Sequence, residues 1–271
     1  MFGDLDLFSQ NEPPPSAGGT TGVLFLDTET TGADPSTAEI CEIGAVLVSY
    51  SGLRQVSDET PEFHSLVRPS DRIPPEASAV HHITDAMVAG APTAGEIESG
   101  IASFAARASI VCAHNSPFDL TILARQMPSV FRRFDDGNTV DSLRLARHLW
   151  PDIPSHALQV LRYRFGLGEG LEGDPHRALF DAHLVRRLVH FARDGGLLTV
   201  STWDELAAFA RSPLEVLVFS FGKYRGSLVE DIVVQDPQYV TWLLSQMWVP
   251  KDYPDLYHTL LRKLGPDRKG K

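Results

Sequence analysis

Residues 23–32 read VLFLDTETTG. The run VLFLDTE (23–29) has the length and apolar content of a buried strand, and Thr30, Thr31 and Gly32 form the turn that ends it. Alternate side chains of a strand leave opposite faces, so Asp27 and Glu29, two residues apart, leave the same one. Two carboxylates therefore stand together at the C-terminal end of an apolar strand. Such a pair means little by itself, because strand ends often carry solvated acids. Its meaning depends on what the rest of the chain brings to that edge.

Downstream, EICEIGAVLVS (39–49) and EFHSLVRP (62–69) read as strands that complete an antiparallel meander with the first. Helical stretches near 75–81 and 95–107 lead to another buried strand, SIVCAH (109–114). A helix opens at Ser116-Pro117, where proline suits the first turn. A short strand near NTVDS follows, then helices over SLRLARHL and HALQVLRYRF, and a long helix over 177–193 that stops at Gly195-Gly196. Strands first, then strands alternating with helices, predict an α/β fold whose mixed sheet carries helices on both faces. Residues 1–20 read as a flexible arm, with SQNEPPPSAGGT (9–20) its Pro- and Gly-rich part. Residues 21–195 form the main domain and 196–213 a linker with one short helix, WDELAAFA. Residues 214–271 read as a small α+β module, in which EVLVFSFGKYRGSLVEDIVV is a strand–turn–strand around Gly222 and Gly226 and DPQYVTWLLSQMW a helix.

Of the 271 residues, 43% are apolar and 22% charged, an ordinary balance for a chain that buries a core. No apolar run is long enough to cross a bilayer, and MFGDLDLFSQ lacks the basic start and apolar stretch of a signal peptide. Cys41 and Cys112 lie in apolar runs with no CxxC partner, which fits buried thiols in a reducing compartment and a cytoplasmic protein. The net charge of −11 argues against a protein that coats nucleic acid. Residues 211–271 carry +2 and residues 1–210 carry −13. Clustered acids that hold metal would account for part of that excess.

Two further acids fit such a cluster. Asp119, in HNSPFD, follows the SIVCAH strand in the first turn of the next helix. There an acid complements the positive end of the helix, but acids from the ends of two strands can also converge at the edge of the sheet where α/β proteins place their sites. Asp181 lies early in the long helix, five residues after His176. Positions five apart on a helix point about 140° apart, so the two meet only if His176 stands on the loop before the helix. His114 and His156 have no evident proton to move and read as structural.

LDTETTG, HNSPFD and HRALFD resemble, in order and spacing, the three exonuclease motifs of the DEDD superfamily. HxxxxD in the third places the resemblance on the histidine branch, DEDDh. EICEIGAV, AVHHITDAM and VDSLRLAR are similar to the connectors of the proofreading epsilon-subunit group, and the likeness spans residues 22–194. It implies an RNase H-like fold, a mixed five-stranded sheet flanked by helices. It further implies that Asp27, Glu29 and Asp181 ligate the metal that holds the attacking water, with Asp27 bridging to a second metal and Asp119 completing the site. Hard oxygen ligands suit Mg²⁺ or Mn²⁺, two per site. Two cations about 3.5–4 Å apart serve the nucleophile and the leaving oxygen of a phosphodiester. An imidazole at His176, ordinarily titrating near neutrality, suits the general base.

The same resemblance makes Thr30, Thr31 and Gly32 a cradle for a terminal nucleotide and sets His82, Ile83 and Phe118 near the terminal bases. For Ile83 and Phe118, core packing is an equal alternative. FGKYRG and DPQYVTWLL resemble the C-terminal module of exodeoxyribonuclease X-like enzymes. Lys223 and Arg225, with Tyr224, Tyr239, Trp242 and Trp248, suit a single-stranded nucleic-acid surface unless the aromatics are spent on a core. Asp4-Leu5-Asp6-Leu7-Phe8 resembles the bacterial sliding-clamp-binding peptide, with Asp4 where Gln is usual, so Leu5, Leu7 and Phe8 are candidate clamp contacts.

The expected function is a 3′→5′ exonuclease that hydrolyses DNA from single-stranded or frayed 3′ ends. It would release nucleoside 5′-monophosphates in repair or in proofreading beside a separate polymerase chain. The alternatives are an exoribonuclease of the same superfamily and a non-catalytic clamp or nucleic-acid adaptor.

Overall fold

The computed structural model describes residues 19–265. Leu5, Leu7 and Phe8 lie outside them. β1 (Thr21–Thr30) pairs antiparallel with β2 (Ile40–Ser51), which also carries the two-residue β3 (Arg54–Gln55) and β4 (Glu62–Leu66). On its other side β1 runs parallel to β5 (Ile110–Ala113), and β5 to β6 (Thr139–Asp141). The result is the expected mixed sheet: five principal strands, with β3 added at one corner.

Between β4 and β5 come α1 (Pro75–His81), α2 (Asp85–Val88) and α3 (Ala94–Ala105). Between β5 and β6 come α4 (Ser116–Gln126) and α5 (Pro128–Phe131). After β6 follow α6 (Ser142–Leu149), α7 (Leu158–Phe165) and α8 (Ala178–Asp194). Both faces of β1 are covered, which is why its sequence is apolar without a break. Val23 and Phe25 join Val46, Val48 and Tyr50 in a core with residues of α6, α7 and α8. Leu24 and Leu26 join Ala45, Leu47 and Val111 in a second core with residues of α3, α4 and α5.

That alternation carries into the acids. Asp27 and Glu29 continue the odd-numbered face of Val23 and Phe25, toward α8, while Thr28 and Thr30 continue the other. Gly44 is the cross-strand partner of Asp27. A Cβ there would stand 2.2 Å from the Leu179 nitrogen and 2.4 Å from the Ala178 carbonyl carbon. The missing side chain lets the first turn of α8 lie directly on β2, and Asp181 belongs to that turn.

The stretch read as a linker is built into the main core. Its helix α9 (Trp203–Arg211) buries Trp203, Leu206, Ala207 and Ala210. Trp203 meets Phe25 and Tyr50 edge-on, at 5.7 and 4.9 Å between ring centroids. Arg144 of α6 makes a joint beyond α9: its guanidinium donates to both Asp255 oxygens at 3.0 Å and to the carbonyls of Ala210 and Ser212. Such a two-pronged, partly buried ion pair fixes geometry as well as adding energy.

Asp255 belongs to a C-terminal unit of α10 (Val229–Gln235), α11 (Pro237–Ser245), α12 (Trp248–Asp252) and α13 (Pro254–Leu264). The strand–turn–strand expected over EVLVFSFGKYRGSLVEDIVV shrinks to one antiparallel bridge, Val218 to Leu228. Val229, Ile232 and Val233 are buried at helical spacing, so the segment packs as a helix despite its β-branched residues. Gly222 and Gly226 take φ of 71° and 87°, as the turn between them requires. No helix among the described residues is long and apolar enough to cross a membrane.

Gly44→Ala puts a methyl group into backbone that no rotamer change can clear, and overpacking of this kind costs about 1–3 kcal/mol. Equilibrium denaturation of the variant should show a loss of at least that size. Unchanged stability would mean that α8 and β2 are not in close contact.

Candidate metal centre

The parity of β1 delivers Asp27 and Glu29 to the same side as α8, and the Gly44 contact brings Asp181 to meet them. One carboxylate oxygen from each of the three lies within 4.8 Å of the others. Asp119 stands on α4, across the sheet edge, and is outside that trio. It is buried, 3% exposed, and accepts a 2.6 Å hydrogen bond from the Thr28 hydroxyl. Asp181 accepts a 2.7 Å bond from the Gln159 amide of α7 and another from the backbone N–H of His176.

His176 sits on the loop before α8, as the five-residue spacing requires, at a left-handed φ of 59°. Its imidazole is half-buried and makes no hydrogen bond among the described residues. His82 and Asn115 are the other non-glycine residues with positive φ among those described, and Asn115 directly precedes the helix that carries Asp119. Residues held in that region cluster where function over-determines the backbone.

Four acids this close repel one another. Burial, then the charges of Asp119, Asp181, Glu29 and Glu42, hold Asp27 well above the usual carboxylate range. Glu29 is pushed up to about 8 by burial and then by Asp181, Glu42 and Asp119. For Asp119 burial outweighs the bonds from Thr28 and gives about 7. For Asp181 burial outweighs the bonds from Gln159 and His176 and gives about 6. A site of hard oxygen donors, negatively charged once ionised and costly to ionise without a cation, fits a hard divalent cation.

Beside the acids a cleft of about 430 Å³ is lined by Glu29, Thr30, Thr31, Gly32, Ala33, Pro74, Glu76, Ala77, Val80 and His81. The turn is self-supporting: the Thr30 hydroxyl donates to the Gly32 carbonyl, and the Thr31 hydroxyl accepts from the Glu39 amide. Ile83 does not reach the cleft. It is 0% exposed and packs with Cys41, Ile73 and Val88, so its core reading is the one that fits. His82 is exposed at the end of α1 and does not line the cleft. Its neighbour His81 does, with Nε2 3.2 Å from the Thr30 carbonyl and Nδ1 accepting from the Ile83 amide. Phe118 is half-buried against the α3–α5 core.

His114 and His156 are spent on structure. His114 bonds to the Ser142 hydroxyl and the His156 carbonyl, and His156 Nε2 bonds to the Trp150 carbonyl. In the C-terminal unit Tyr224, Tyr239 and Trp248 pack with Phe219, Phe221 and Tyr253. Lys223 is tied to Asp236 at 3.0 Å and lies over the Tyr224 ring, whereas Arg225 is exposed and Trp242 half-exposed.

Sequence reading missed Gln159, Thr28, Arg177 and Glu42. Thr28 stands between the paired acids, and Glu42 lies within EICEIGAV. Gln159 gave no signal, since only the packing of α7 on α8 brings it near.

A sequence profile of the family described as Exonuclease matches residues 24–189, and one described as Exodeoxyribonuclease X-like C-terminal matches 219–246. The chain is 32% identical to Exodeoxyribonuclease 10 of Escherichia coli (strain K12), over 82% of its own length and 90% of that protein's. It is 32% identical to DNA polymerase III subunit epsilon of Treponema pallidum (strain Nichols), over 63% and 78% respectively. The solved structure of exonuclease X in complex with 5′ overhanging duplex DNA superposes with a TM-score of 0.52 at 29% identity, covering 68% of this chain and 99% of that one.

Acids whose folded pKa is raised bind more protons folded than unfolded, so stability falls as pH climbs from the unfolded value near 4 to the folded values of about 6–8. Metal-free protein should therefore melt at lower temperature at pH 8 than at pH 5. Added Mn²⁺ should raise Tm more at pH 8, and Asp27→Asn should remove most of that gain. Equal Mn²⁺ shifts in the variant and the unaltered protein would count against a cation at these acids.

Proposed function

The chain belongs to the exonuclease family, and we propose that it removes nucleotides from DNA 3′ ends by metal-assisted hydrolysis, in repair or proofreading. One observation carries the reading: Asp27, Glu29 and Asp181 meet within 4.8 Å at the open end of β1, next to a cleft of nucleotide size. We assign Asp27, Glu29 and Asp181 as ligands and Asp119 as the fourth acid, holding two Mg²⁺ or Mn²⁺ ions. Bound divalent cations supply the positive charge that makes a water nucleophilic at neutral pH and that offsets charge on the leaving oxygen.

The chain's own groups do the rest. His176, on its loop, takes the proton from the attacking water. Gln159 holds one Asp181 oxygen and Thr28 one Asp119 oxygen, which leaves the remaining lone pairs to the centre. The Thr30–Gly32 turn abuts the cleft where the terminal nucleotide would lie, with Pro74, Ala77 and Val80 as an apolar wall for its base. Stacking on such a wall discriminates little among bases. Water attack at the last phosphodiester breaks the bond to the penultimate 3′-oxygen and releases a nucleoside 5′-monophosphate. In the C-terminal unit exposed Arg225 and half-exposed Trp242 are offered to DNA, whereas Lys223 is paired with Asp236. A sliding-clamp contact through Leu5, Leu7 and Phe8, and a polymerase partner, rest on sequence resemblance and on the similarity to epsilon subunits.

With 5′-labelled single-stranded DNA and Mg²⁺, shortening from the 3′ end is expected. It should be abolished in Asp27→Ala and slowed about 10²- to 10⁴-fold in His176→Ala, as loss of a general base implies. Equal activity in Asp27→Ala would overturn the assignment, and faster cleavage of RNA than of DNA would overturn the choice of substrate.

A further inference from the structure

A fifth carboxylate lies at this centre. Glu42 of β2 is the cross-strand partner of Glu29, so it faces the same side, yet it is 0% exposed and outside the acidic trio. Its oxygens are already engaged. Oε1 accepts from His64 Nε2 at 2.7 Å and from the Arg177 guanidinium at 2.6 and 3.0 Å. Oε2 accepts from Arg177 Nε at 3.1 Å and from the Ala178 amide, the first of α8, at 2.9 Å. Donors occupy the directions from which a cation would be ligated.

The residues it grips follow His176 directly. Arg177 caps α8 in an extended conformation, φ −124° and ψ 125°, and its carbonyl accepts the Asp181 amide at 3.0 Å. Asp181 in turn takes the His176 N–H. The chain at 176–178 is thus held from β2 on one side and by a metal-site acid on the other, and between the two grips His176 adopts its left-handed φ. A residue with a Cβ keeps that conformation only where its surroundings impose it.

Resting on the exonuclease reading, we propose that Glu42, through Arg177 and the Ala178 amide, is a positioning residue that sets the direction in which His176 presents its imidazole. The bond to Ala178 also places an anion at the positive end of α8, a favourable pairing with the helix dipole. Removing Glu42 would leave the trio in place and let the 173–177 loop wander. A misplacement of about 1 Å in a catalytic group costs on the order of 10²-fold.

The test is a double-mutant cycle. Glu42→Gln and Arg177→Lys are made in the unaltered protein and in His176→Ala, and kcat and KM are measured on single-stranded DNA. Mn²⁺ affinity is titrated alongside. Each substitution alone should lower kcat about 10- to 100-fold, with KM and Mn²⁺ affinity within about twofold. In the His176→Ala background each should add less than about twofold, because the group they position is gone. Arg177→Lys keeps a cation beside Glu42 and so provides a folded variant if Glu42→Gln does not fold. Additive losses, a parallel fall in Mn²⁺ affinity, or unchanged kcat would each overturn the proposal. The ¹³C-labelled imidazole resonance of His176, assigned by its loss in His176→Ala, should move in Arg177→Lys. That readout needs no turnover, so an inactive protein would refute the exonuclease reading while an unmoved resonance would refute the positioning role.

Discussion

The centre depends on how closely α8 can approach β2. Gly44 is the place where the sheet offers no side chain, directly across from Asp27, and the first turn of α8 fills that space. Were the helix held off by one more methyl group, Asp181 would retreat from the strand that carries the other two acids. The register of β1 supplies the second half of the constraint, because a slip of one residue would turn Asp27 and Glu29 toward α4 and away from α8. Two apolar cores, one on each face of β1, make such a slip expensive.

Assembling these acids works against the stability of the metal-free protein. Burial raises the pKa of all four, the charges of neighbouring carboxylates add to it at Asp27 and Glu29, and Glu42 adds a further negative charge across the strand. The fold tolerates this because most of the supporting acids have assigned partners: Thr28 for Asp119, Gln159 for Asp181, Arg177 and His64 for Glu42. Asp27 and Glu29 have no such bond among those described. For a protein with net charge −11 that acts on a polyanion, cations held by these acids would supply the local attraction that a basic surface supplies elsewhere.

Much of this was legible from residue order. Period two placed Asp27 and Glu29 on one face, and the five-residue spacing put His176 on a loop before a helix bearing Asp181. What sequence could not say was which helix lies against which strand, and so Gln159 and the role of Gly44 stayed hidden. Ile83 was misleading because an apolar residue beside a cleft and one beneath it look alike in sequence. In the C-terminal segment, β-branched Val229, Ile232 and Val233 suggested a strand, while their spacing of three and four fits the helix that packing selects. The helix Pro254–Leu264 went unread although Pro254 marks its first turn, because its apolar face gains meaning only against Val229 and Leu243.

The convergence of the three acids on a cation is tested most directly by anomalous X-ray scattering from a crystal soaked in Mn²⁺. A strong manganese peak is expected among the carboxylates of Asp27, Glu29 and Asp181, lost in Asp27→Asn. A peak placed elsewhere, or no ordered manganese when those side chains are well resolved, would contradict it.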